Sequence, residues 1–144
     1  MKQPDIIWIC TDEMRNDAIG VYGNKWTRID TPNLDHLADM GARSDHCFCN
    51  SPVCVPSRYS LLTGLHCKDT GVYNNEPVWE RVEHGLHGKH ITIPQVFAGA
   101  GYRTANFGKS HLPHGIMPWQ HHDPQGDMKS TLSPSTALQD IFSR

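Results

Sequence analysis

No apolar run in the 144 residues is long enough to cross a bilayer as a helix. The chain also lacks an excess of charge: 13 Lys and Arg against 15 Asp and Glu leave a net charge of -2, with a pI near 6.5. Bulk attraction to nucleic acid or to an anionic membrane is therefore excluded, and any anion must be held by a local site. At 38% hydrophobic and 19% charged residues, the composition is that of a soluble domain with a core, not of a disordered chain. Five cysteines are an odd count, which excludes a complete disulfide framework. Met1 to Asp5 leads into an apolar run too short for a signal peptide, so reduced thiols in a cytoplasm are the expectation.

What is present reads as strand and helix in alternation. Asp5 to Cys10 is a continuous apolar, β-branched run, as in a strand buried on both faces, and it ends abruptly at Thr11-Asp12-Glu13. Acidic residues there stand where ligands collect in open α/β sheets, beyond the carboxyl ends of strands. They would equally suit a turn that merely closes the strand. Thr31 to Gly41 predicts a short helix: Thr31 as N-cap, Pro32 in the first turn, Leu34, Leu37 and Met40 on one face, Gly41 as the stop. A second helix is expected from near Pro56 to about Thr63, ended by Gly64. A third begins near Ile93, with Pro94 in its first turn and Gly99 or Gly101 at its end. Tyr102 to Phe107 reads as a strand, followed by Gly108-Lys109-Ser110-His111. Strand, helix and strand again predict an α/β fold with a mainly parallel sheet flanked by helices. From Pro113 onward the chain is rich in proline and histidine and loop-like, with weak helical promise only at 135–142.

The most specific segment is Cys54-Val55-Pro56-Ser57-Arg58-Tyr59-Ser60-Leu61-Leu62-Thr63-Gly64. Its predicted helix starts at or beside Cys54, where unpaired backbone N–H groups and the helix dipole favour an anion. On its own it could be a half-buried thiol, a helix-starting proline and a solvated arginine. The segment nevertheless resembles the signature of the sulfatase family at each position that family fixes. Three further segments carry the resemblance: Ile6 to Glu13, Thr31 to Ala38, and Gly101-Tyr102-Arg103-Thr104 leading to Gly108-Lys109-Ser110-His111-Leu112. They occur in family order, so residues 1–112 are expected to form the N-terminal part of a sulfatase catalytic domain of the alkaline-phosphatase-like superfamily. Residues 113–144 would be a truncated, loop-rich continuation of that domain.

The resemblance implies that Cys54 is oxidised by a formylglycine-generating maturation enzyme. One hydroxyl of the hydrated aldehyde would attack sulfur, and the other would then expel sulfate. Arg58 is implied to stabilise that hydrate, Lys109 to contact sulfate and nucleophile, and His111 to hydrogen-bond the formylglycine hydroxyl. If residues 109–111 are extended, Lys109 and His111 share a face. A divalent cation, Ca2+ first with Mg2+ or Mn2+ as substitutes, would be held by Asp12, by Glu13 and by residue Cys54 in its modified form. Such hard cations take oxygen ligands and neutralise an anionic ester. Glu13 is one methylene longer than the aspartate usual in the family, and Ser110 is smaller than the residue often found there. The implied substrate is a small-molecule or carbohydrate sulfate ester.

Other readings remain. Phosphonate and phosphate ester hydrolases of the same superfamily share the formylglycine. Cys47, Cys49, Cys54 and Cys67 with His46 and His66 offer ligand types for a structural zinc, although the usual paired spacings are missing. Family enzymes draw further metal ligands from beyond this length, so the chain could also be an inactive fragment that binds or oligomerises through an open sheet edge.

Overall fold

The computed structural model describes residues 3–23, 29–75, 90–112, 116 and 118–123. They divide into two compact units, Met1–Phe48 and Cys49–Arg144.

In the first unit a segment without regular structure leads to two single-turn 3-10 helices, Asn16–Ala18 and Gly20–Tyr22, and then to helix α1, Pro32–Met40. The α1 span matches the proline-to-glycine punctuation of the sequence. Thr31 is the N-cap, its carbonyl accepting from Asp35 N at 2.9 Å, but its side chain makes no cap hydrogen bond. Its hydroxyl accepts from Gly20 N at 2.8 Å and donates to Asp35 Oδ1 at 3.2 Å, while Val21 N donates to the same Asp35 oxygen at 2.7 Å. A long-range partner thus outcompetes the local cap, and a side chain at Gly20 would collide with the Asp35 carboxylate. Arg43 Nη1 donates to Val21 O at 2.6 Å and its guanidinium lies over the Tyr22 ring.

The predicted strand at Asp5–Cys10 is a correction. It pairs with no strand among the described residues, and Ile7 and Ile9 are 71% and 75% exposed. An apolar, β-branched run fits a pleated surface, but it becomes a strand only when a neighbour takes up its N–H and C=O groups. None of the described residues of this unit is buried, so hydrogen bonds to Asp35 and Thr31 carry its organisation.

The second unit has the core. Helix α2, Cys54–Thr63, ends at Gly64, whose φ of 71° and N–H bond to Ser60 O make a left-handed stop. Helix α3, Cys67–Thr70, ends likewise at Gly71. Helix α4, Ile93–Gly99, starts at Pro94 and Thr92; Gln95 Oε1 accepts from both Thr92 N and Thr92 Oγ1 at 2.9 Å. Strands β1, Ala105–Phe107, and β2, His121–Asp123, pair in parallel with Asn106 opposite His122. The parallel α/β expectation therefore holds, with a shorter strand than the sequence pattern predicted. The expected helix at 135–142 lies outside the described residues.

Val55 and Tyr59 of α2 pack with Val72, and Leu112 and Ile116 close over them. Tyr59 is fully buried, which makes it the anchor of the helix that carries the Cys54 motif. Replacing Tyr59 by Ala should cost about 3–5 kcal/mol in denaturant unfolding, the cost of a large buried ring. Leu61→Ala, on the exposed face of α2, should change stability by no more than about 0.5 kcal/mol. Equal losses at the two positions would contradict this core.

Candidate active site

The Cys54 motif becomes a site because of where α2 begins. Val53 is extended, with φ -120° and ψ 140°, and Cys54 is the first helical residue, half-buried. The first turn leaves backbone N–H groups without intrahelical partners. Pro56 removes one of these donors, and Val55 N donates to Asn75 Oδ1 at 2.9 Å. Asn75 went unremarked in the sequence. It lies 20 residues beyond Val55 in a turn-rich stretch, and only a preference of asparagine for turns and caps could have flagged it.

Arg58 stands one turn after Cys54, on the same side of the helix. Its Nη1 donates to the Lys109 carbonyl at 2.9 Å, and the Lys109 ammonium reaches Cys54 Sγ at 4.0 Å. Three of the predicted residues are thus joined: two from one helix and one from the turn after β1. That turn passes through Gly108, with φ 88°, a conformation that favours glycine.

His111 is exposed, and among the described residues no hydrogen bond links its imidazole to Cys54. The extended course on which a shared face for Lys109 and His111 depends is not kept at His111, whose φ is 42°. Glu13 has φ 53°. Among the described residues these are the only non-glycine residues with positive φ, and both had been singled out from the sequence on chemical grounds. Such conformations cost roughly 1–3 kcal/mol each and concentrate at functional sites.

Asp12 and Glu13 belong to the first unit and are exposed. Close by, Arg15 Nε donates to Asp17 Oδ1 at 2.8 Å. The hydrogen bond from Arg15 holds the Asp17 carboxyl below the usual carboxylate range and raises the Arg15 guanidinium in turn. Arg15 is thereby engaged with Asp17. The link is present above the ordinary carboxylate pKa and is lost as pH falls through the lowered value. Among the described residues no group of three His, Cys, Asp or Glu could hold a metal ion, so the structural-zinc arrangement is not formed there. Cys67 instead lies 3.5 Å from both Asn50 Oδ1 and Ser60 Oγ, and all five cysteines are free.

The family model described as Sulfatase matches residues 4–116. The chain belongs to the sulfatase family. It is 35% identical over 121 residues to an N-acetylglucosamine-6-O-sulfatase of Bacteroides thetaiotaomicron, covering 82% of this chain and 20% of that protein. It is also 37% identical over 112 residues to an arylsulfatase of Clostridium perfringens, covering 76% of this chain and 21% of the relative. A solved structure of a protein in complex with its substrate D-glucosamine-2-N,6-O-disulfate superposes with a TM-score of 0.73 at 33% identity, covering 84% of this chain and 23% of that one. The fold is accordingly that of a sulfatase, alkaline-phosphatase-like. The chain spans about one fifth of the length of these relatives.

Within this sulfatase chain the Asn75 contact yields a direct test. Asn75→Ala should speed exchange of the Val55 amide and cost about 1 kcal/mol, the scale of a lost helix cap. Exchange at Val55 unchanged from wild type would remove Asn75 from the site.

Proposed function

We propose that this chain supplies part of the active site of a sulfuric ester hydrolase that uses a formylglycine made from Cys54. The observation that carries the reading is the Lys109 ammonium meeting the Cys54 sulfur, 55 residues away, at the first turn of α2. A sulfate monoester repels nucleophiles through its charged oxygens, so a productive site needs cations aimed at that charge. Lys109 is the compact cation for this purpose, and Arg58, by bonding the Lys109 carbonyl, keeps it beside residue 54. His111 would hydrogen-bond the hydroxyl carried by residue 54. A formylglycine hydrate supplies an attacking hydroxyl and a second hydroxyl able to expel sulfate, which a thiol lacks. Making it requires a maturation enzyme with an external two-electron oxidant, which takes the Cys54 side-chain carbon to the aldehyde while the sulfur leaves as sulfide.

Asp12 and Glu13 fit a divalent cation in part. They are adjacent, exposed oxygen donors, and Arg15 is engaged with Asp17. Ca2+ is the favoured ion; when bound, such an ion neutralises ester charge. The substrate is a carbohydrate sulfate ester, a reading supported by the sulfated sugar bound in the similar solved structure. Phosphonate or phosphate ester hydrolysis is the competing reaction, because the same cations would suit those anions.

A peptide mass across Cys54, taken on full-length protein from its native host, tests the proposal. The expected peptide is lighter by the change from CH2SH to CHO, and Cys54→Ala abolishes sulfate ester turnover without unfolding the protein. An intact thiol in an active enzyme sinks the formylglycine reading, and faster turnover of phosphate esters than of sulfate esters favours the competing reaction. The 144-residue chain alone should bind Ca2+ only weakly, with Kd about 0.1–1 mM by calorimetry, because two carboxylates leave most of a six- to eight-oxygen shell to water. Submicromolar binding would show that the chain completes the ion's shell itself.

A further inference from the structure

Asn106 lies in β1 opposite His122 of β2, and both side chains are half-buried. Asn106 Nδ2 is 3.1 Å from the Gly108 carbonyl oxygen and 3.1 Å from His122 Nδ1. A carbonyl can only accept, so the amide must present its NH2 group here, and both hydrogens are engaged. His122 Nδ1 therefore accepts, and the hydrogen of the neutral ring sits on Nε2. Trp119 stacks on the same ring, with centroids 5.9 Å and planes 17° apart, which restrains its orientation.

Gly108 is the residue immediately before Lys109. Two successive carbonyls of this turn are thus held: Gly108 O by Asn106 and Lys109 O by Arg58 at 2.9 Å. With both carbonyls held, the root of the four-carbon stem that carries the Lys109 ammonium to Cys54 is set in place. An asparagine that simply closed the end of its own strand would need no imidazole from the next strand. The His122 contact selects which end of the amide faces Gly108.

We propose that Asn106, held in its donating orientation by His122, is a positioning residue for Lys109. The proposal rests on the sulfatase reading only where Lys109 is taken to meet sulfate. In the full-length protein, Asn106→Asp keeps the side-chain shape but sets a carboxylate against the Gly108 carbonyl. The expected result is amide exchange about tenfold faster at residues 108–112, with α2 exchanging as in wild type. Turnover of a sulfate ester should fall about tenfold to a hundredfold in kcat, with far less change in KM, as for a misplaced catalytic group. His122→Gln, whose amide oxygen can accept from Asn106, keeps the turn protected, whereas His122→Ala does not. Imidazole nitrogen shifts should show the Nε2–H form of His122. The Nδ1–H form, or wild-type exchange at 108–112 in Asn106→Asp, overturns the proposal. Wild-type protein with the expected tautomer and a turn that depends on Asn106, but with no sulfate ester hydrolysis, supports the positioning role and counts against the sulfatase reading alone.

Discussion

The bond from Arg58 to the Lys109 carbonyl is the constraint on which the site depends, because it ties the first turn of α2 to a turn 51 residues later. A hydrogen bond from a charged donor contributes about 1.5–3 kcal/mol where water is excluded, and less at a half-exposed position such as this. It therefore cannot hold the helix in place by itself. Burial does that: Tyr59, one residue after Arg58, is fully enclosed and packs with Val72. The core sets how deep α2 lies, and the arginine sets which part of the turn meets it. Leu112, three residues past Lys109, packs on the same core, so the turn is anchored to that core from its far side as well.

Much of this arrangement was legible in the sequence, for identifiable reasons. The bounds of α1, α2 and α4 follow from proline near the start and glycine at or just past the end, signals that act within a few residues. The chemistry at Cys54, Arg58 and Lys109 was legible as residue types in a known order, and the structure adds their contact. The failures share a cause. Thr31 stands at the N-cap but its hydroxyl bonds Gly20 and Asp35, while Asn75, which holds Val55, and Asn106, which bridges Gly108 and His122, carry no pattern that marks them. Gly20, Val55 and His122 are partners 11, 20 and 16 residues away, and short-range pattern carries no information about such partners. The Asp5–Cys10 run failed in the opposite sense. Its pattern is right for a buried strand, but the neighbour that would complete it is not among the described residues.

Backbone strain separates the two units in a way that bears on function. His111 is left-handed next to Leu112, which packs on the core of the second unit, so burial can offset the roughly 1–3 kcal/mol that such a conformation costs. Glu13 is left-handed in a unit where none of the described residues is buried. Among the described residues of that unit there is no core packing to compensate Glu13. On the proposed reading, a divalent cation held by Asp12 and Glu13 would supply the offset, since ion binding stabilises whichever conformation presents both carboxylates to it. On that reading a charged group at each place is set by a partner outside its own segment: the cation for Glu13, and Arg58, 51 residues earlier, for Lys109.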